Sequence, residues 1–132
     1  MGITAHEKLH LQTLLKALYR YVALLIEQSR RAMKGESFRL ASILLRWRDG
    51  LREEKPTRHI DGGYATMVVA LKGDGTVVYG YKNDRELAVP PLSPLLMTGM
   101  GRSGERTPHR IPNFKRGEPR LVLLLTFVLL GK

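Results

Sequence analysis

Residues 6–10 read His-Glu-Lys-Leu-His, the H-E-x-x-H spacing of zinc metalloproteases. On a helix, His6 and His10 share one face and can bind zinc, while Glu7 activates the metal-bound water. The surrounding residues point away from that chemistry. Thr4-Ala5-His6-Glu7 is also a capping box: Thr4 caps the first turn and Glu7 reaches back to the Thr4 amide. That role occupies Glu7 and leaves His6 in a fraying first turn, where a ligand lacks rigid support. A third protein ligand is also required. Thr13 stands where the metzincin extension carries glycine. His59, His109, Glu36 and Glu86 carry ligating groups, but no pattern in the sequence brings them to His6 and His10. The motif is read as a chance match, with no catalytic residue, metal ligand or cofactor expected.

Gly99-Met100-Gly101-Arg102-Ser103-Gly104 matches G-x-G-x-x-G. That fingerprint holds a dinucleotide only where it follows a strand and opens a helix. Here a proline-rich stretch precedes it, and Pro108 disfavours helical geometry at Thr107. The Rossmann reading is rejected. A flexible glycine loop, able to form a backbone anion nest, is expected instead.

The basic tract beyond it carries more weight. Arg102, Arg106, Arg110, Lys115, Arg116 and Arg120 recur every one to five residues in a chain too rich in Gly and Pro for regular structure. Such an arm can follow a phosphate backbone and release counterions at each contact. Arginine also stacks on bases and forks onto phosphate. Net charge is +10, with Arg outnumbering Lys, and a surface that basic attracts polyanions. The excess is uneven. Residues 99–132 carry seven basic and two acidic side chains, and residues 1–34 carry six and two. Lys16, Arg20, Arg31, Arg39 and Arg46 extend the expected cationic surface, and Tyr79 and Tyr81 share a strand face on which bases could stack.

These residues need elements to position them. In a chain of 132 residues a single domain, 1–132, is expected. Leu11, Leu14, Leu15, Leu18, Val22, Leu25 and Ile26 recur at helical spacing, which predicts a helix from Thr4 to about Lys34. Ser37 reads as the N-cap of a second helix over about Phe38–Glu53, with Leu40, Leu44, Trp47 and Leu51 on one stripe and Phe38, Ala41 and Leu45 on another. Residues 1–54 thus form an antiparallel helical hairpin. A linker follows over 55–63 by composition. Residues 64–132 hold a β-hairpin turning at Gly73-Asp74-Gly75, a short helical turn at Pro94–Thr98, the basic loop, and an apolar strand over Leu121–Leu130. Met67, Val69 and Leu71 mark the core face of the first hairpin strand.

Fold class is therefore α+β, a helical hairpin on an antiparallel sheet of about three strands. An open sheet edge in so small a fold offers a route to a homo-oligomer. The chain has no cysteine, which excludes disulfides and thiolate chemistry. Asn and Gln together number four, and with the high Arg content this points toward a thermophilic source. No export signal is seen, and the apolar run Leu121–Leu130 is half the length of a spanning helix, so a cytoplasmic protein without a membrane partner is expected. The expected function is non-enzymatic binding of RNA or single-stranded DNA through backbone contacts. The alternatives are an assembly subunit whose loop docks an acidic partner, and a small zinc hydrolase.

Overall fold

The computed structural model describes residues 2, 4–50, 56–113 and 116–131. The chain divides into two compact units, Met1–Gly35 and Glu36–Lys132.

The first unit is one helix, α1 (Ala5–Ala32). Its start is the capping box expected from the sequence. Thr4 Oγ1 accepts from the Glu7 amide at 3.1 Å, and the Thr4 amide donates to Glu7 Oε2 at 3.2 Å. The box ties up two amides that the first turn would otherwise leave without partners.

The second unit is built from two antiparallel sheets. The larger holds β1 (Phe38–Arg48), β2 (Ala65–Lys72), β5 (Leu95–Thr98) and β7 (Arg120–Leu129) in the order β1-β7-β2-β5. The smaller holds β3 (Val77–Tyr79), β4 (Glu86–Ala88) and β6 (His109–Arg110) in the order β4-β3-β6. The α+β class and the closing strand both stand: β7 pairs with β2 as expected, and with β1 on its other side.

Three expectations are corrected. The helical hairpin does not form, because residues 38–48 are strand β1, not a second helix; residues 51–53 of that expected helix lie outside the described residues. A bulge explains the misreading. Between Leu40 and Ser42 the register with β7 slips by one residue, at Ala41. Phe38 and Leu40 therefore share a face with Ile43, Leu45 and Trp47, and the slip in parity hides the period of two. The second correction concerns β2 and β3, which follow one another but enter different sheets, so they do not pair as a hairpin. Finally, Leu95–Thr98 is strand β5 on the edge of β2, not a helical turn. Two sheets of four and three strands replace the expected sheet of about three.

The two faces of the larger sheet differ in chemistry. Val69, Leu123, Leu125 and Phe127 lie on one face and are almost fully buried. Burying each such side chain contributes about 1.5–3 kcal/mol. The face of β2 carrying Met67, Val69 and Leu71 is thus a core face, as its alternation implied. The opposite face carries Val68, Ala70, Met97 and Val122 as a second apolar cluster.

Near the start of β2, Tyr64 donates from its hydroxyl to Glu36 Oε1 at 2.5 Å, and Arg102 donates to both Glu36 oxygens at 2.9 Å. The Arg102 fork, with help from Tyr64, holds the Glu36 carboxyl at about 2, against an ordinary 4.5. Because the folded value is depressed, the contribution is present in full above about pH 4.5 and fades as pH falls toward 2. Glu36→Gln is expected to destabilise the protein by about 1–2 kcal/mol at pH 7, a half-exposed charged pair being worth less than a buried one. In urea denaturation, the gap between parent and variant should narrow between pH 5 and pH 3 and stay constant from pH 5 to pH 8.

Candidate metal centre

His59 and His109 lie opposite one another in an isolated antiparallel bridge. The His59 amide donates to the His109 carbonyl at 2.8 Å, and the His109 amide returns the bond at 2.9 Å. In antiparallel geometry, opposed residues project their side chains to the same face. The two imidazole rings accordingly sit 4.4 Å apart between centroids. Asp61 is two residues after His59, so an extended chain returns its side chain to the same side.

Both rings are oriented from behind. His59 Nδ1 lies 3.0 Å from the Thr57 carbonyl, and His109 Nδ1 lies 2.8 Å from the Thr107 carbonyl. A carbonyl can only accept, so each Nδ1 carries the proton. Each Nε2 is left clear of the backbone, and both face the same atom. Asp61 Oδ1 is 3.3 Å from His59 Nε2 and 3.5 Å from His109 Nε2. Unprotonated nitrogens and a carboxylate oxygen at that separation repel one another unless a cation, a proton or a metal ion, joins them.

A metal ion fits the space. All three donor atoms lie within 4.8 Å of one another. With bonds of about 2.1 Å, facial octahedral ligands sit about 3.0 Å apart and tetrahedral ones about 3.4 Å. Of the two distances to Asp61, 3.3 Å falls in that range and 3.5 Å lies just beyond it. Two histidines and one carboxylate, with further positions open, form the facial set used by non-haem iron and some zinc centres. Backbone carbonyls behind both Nδ1 atoms are the usual support for such ligands. His109 is 4% exposed at its side chain while His59 is 48% exposed, so the site lies at a mouth, with one ligand inside and one near solvent.

The glycine motif serves this centre. The Met100 amide donates to the Asp61 carbonyl at 2.8 Å, and the Gly101 amide to the Gly63 carbonyl at 3.1 Å. A Cβ on Gly99 would fall 2.1 Å from the Gly63 oxygen and 2.7 Å from the Asp61 oxygen. Gly99 is therefore the residue that lets this loop lie directly against the Asp61 backbone. Glycine serves here for close approach to another backbone, not to a phosphate.

The centre opens on a cavity of about 280 Å³. Its walls come mainly from the larger sheet: Ser42, Leu44, Arg46 and Arg48 of β1, Thr66 and Val68 of β2, Met97 of β5, and Arg120, Val122, Leu124 and Thr126 of β7. Thr76, Ile111 and the three ligating residues complete it.

The sequence-expected cations do different things. Arg102 is held by Glu36 and Arg110 by Glu86, the latter through Nη2 at 2.9 Å. Arg120 is 6% exposed, with Nε donating to the Asp74 carbonyl at 2.8 Å. Arg31 lies 3.6 Å from Glu27 on the same helix. Arg46 lines the cavity and is itself exposed, as are Arg106, Arg116, Arg39, Lys16 and Arg20 away from it. Lys115 lies outside the described residues. Tyr79 lies beneath the Arg58 guanidinium, 4.1 Å from its ring centre, whereas Tyr81 is 89% exposed beyond the end of β3.

His6 and His10 are exposed on α1, with Glu7 engaged in the cap. Among the described residues, the group of metal-ligating side chains is His59, Asp61 and His109. The sequence reading passed over it because EKPTRHIDGG reads as linker. The available signal was His-x-Asp followed by two glycines. His109, fifty positions later, joins only through the bridge.

No family model matches the chain, and no curated protein matches it. Among solved structures, the chain is similar to hydroxypropylphosphonic acid epoxidase from S. wedmorenis, determined in complex with fosfomycin. The TM-score is 0.44 at 10% identity, over 64% of this chain and 42% of that one. No helix among the described residues is long and apolar enough to cross a membrane.

Gly99→Ala is expected to destabilise the protein by about 1–3 kcal/mol through the clash with the Asp61–Gly63 backbone. Gly62→Ala, where an added Cβ meets nothing within 4 Å, should stay within about 0.5 kcal/mol of the parent. Urea denaturation of the two variants distinguishes close approach from a general glycine effect.

Proposed function

We propose that the protein binds a divalent transition metal through His59 Nε2, His109 Nε2 and Asp61 Oδ1, and uses it to act on a small molecule in the adjoining cavity. One observation carries this reading. Two imidazoles, each with its Nδ1 proton committed to a backbone carbonyl, aim their Nε2 atoms at one carboxylate oxygen. A metal answers all three donors at once. Three protein ligands leave positions for water or substrate, which is how a catalytic centre differs from a structural one. Iron(II) suits the two-histidine, one-carboxylate set, and zinc is the next candidate.

Metal analysis of the protein after incubation with iron(II), cobalt(II) or zinc and gel filtration should find one equivalent per chain. His59→Ala and Asp61→Asn should each lower metal affinity by about tenfold or more while far-ultraviolet circular dichroism stays unchanged. Retention of one equivalent by both variants would remove the centre from the account.

A second reading has its own support in the exposed cations Lys16, Arg20, Arg39, Arg106 and Arg116 and the net charge of +10. These suit backbone contacts to RNA or single-stranded DNA. Replacing Arg106 and Arg116 with Ala should weaken binding to a labelled single strand and flatten its dependence on salt, read by fluorescence anisotropy between about 50 and 200 mM salt. The parent protein failing to bind at the lower salt would end this reading.

A further inference from the structure

The lining of the cavity says what it would hold. The antiparallel register of β1, β7 and β2 arranges its wall in rows. Ser42, Thr126 and Thr66 form a row of hydroxyls. Leu44, Leu124 and Val68 form an apolar row beside it. Arg46 lies opposite Val122, and Arg48 opposite Arg120. The same wall therefore runs from hydroxyl through hydrocarbon to guanidinium.

The charges in this cavity do not balance. Of the arginines that line it, Arg46 and Arg120 are set against the single lining carboxylate, Asp61. Arg120 is buried, and its described hydrogen bonds go to neutral oxygens, the Asp74 carbonyl and, at 3.5 Å, Thr76 Oγ1. Burial pulls its guanidinium down to about 10, with only part of that offset by the Asp74 charge. Arg48 has an interaction of its own within the chain, so Arg46 and Arg120 carry the argument. Asp61, meanwhile, is directed at the two histidines. A bound divalent cation would add to the surplus. Arg46 is exposed, but the buried charge of Arg120 is relieved by an anion inside the cavity.

Size and wall chemistry narrow the anion. At about 30 Å³ per water, 280 Å³ holds roughly nine waters. That excludes a polymer strand and suits a compound of similar size. The apolar row next to the arginines favours a short carbon chain over a bare inorganic ion.

We propose that the cavity binds a small organic acid, its carboxylate held by Arg46 and Arg120 and its carbon chain laid along Leu44, Leu124 and Val68. This rests on the metal-centre reading for its chemistry, since the acid would be that centre's substrate, but the arginine pocket is separable from the metal.

The test is calorimetric titration of butyrate and succinate, each against its neutral amide, with inorganic phosphate alongside. Both metal-free and cobalt-loaded protein are used. At least one acid should bind one-to-one, about tenfold or more tighter than its amide. Arg46→Gln should weaken it about tenfold. Arg39→Gln removes an exposed charge from the same strand without touching the cavity wall and should leave binding unchanged. Equal binding of acid and amide, equal effects of the two variants, no binding of either acid, or phosphate binding tighter than both acids would each overturn the proposal. Arg46-dependent acid binding in protein that takes up no cobalt would uphold the acid site and defeat the metal centre alone.

Discussion

Two hydrogen bonds, exchanged between the backbones of His59 and His109, hold the arrangement on which the site depends. They set two residues fifty positions apart directly opposite one another and turn both imidazoles to the same face. The Thr57 and Thr107 carbonyls then orient the rings, so that both Nε2 atoms stay turned toward Asp61. Asp61 is brought against that pair by a loop whose carbonyl is bound by Met100 and whose path needs Gly99 to lack a side chain. Each of these contacts is made by main chain. The site's geometry is therefore a property of how the strands and loops meet, and its side chains inherit their directions.

Charge that reads from the sequence as a cationic arm is used differently once the chain is folded. Arg110 lies next to His109 on β6. Its guanidinium reaches Glu86 on β4, and the Ile111 carbonyl on its own side. While His109 points into the cavity, its neighbour ties β6 to β4 across β3. Arg102 likewise ties Glu36 to the glycine loop that supports Asp61. Partly exposed pairs of this kind restrict direction as well as adding a modest stability. Both arginines thus brace segments next to the candidate ligands, Arg110 beside His109 and Arg102 in the loop bonded to the Asp61 backbone.

The legible parts of the fold were those with local signals. The Thr4–Glu7 box, the long helical repeat and the apolar run of β7 each declare themselves within one element. What failed was whatever depended on partners. β1 carries apolar residues on one face and Ser42, Leu44, Arg46 and Arg48 on the other, yet the Ala41 bulge breaks the alternation that would have revealed it. The pairing of β2 and β3 looked assured from the Gly-Asp-Gly turn, but β2 had better partners in β5 and β7. Neither choice is visible in nearest neighbours. The metal ligands fall in the same class, since His-x-Asp becomes half of a site only when a bridge delivers His109.

Strand β1 connects these observations. Its position at the sheet edge, paired only with β7, leaves its inward face open to the cavity mouth. An arginine deep in a closed core would need a carboxylate partner; one on an edge strand can keep its stem on the wall and its head in water until a ligand arrives. Arg46 has that freedom, while Arg120, one strand further in, is anchored to the Asp74 carbonyl. The acid proposed above would thus meet one anchored guanidinium and one nearer solvent, set diagonally on the β1–β7 ladder, where Arg46 lies opposite Val122 and Arg120 opposite Arg48. The bulge at Ala41 is what puts Arg46 on the cavity side: if residues 38–48 alternated regularly, Arg46 would share the Phe127 face with Phe38 and Leu40, and Leu45 and Trp47 would face the cavity instead.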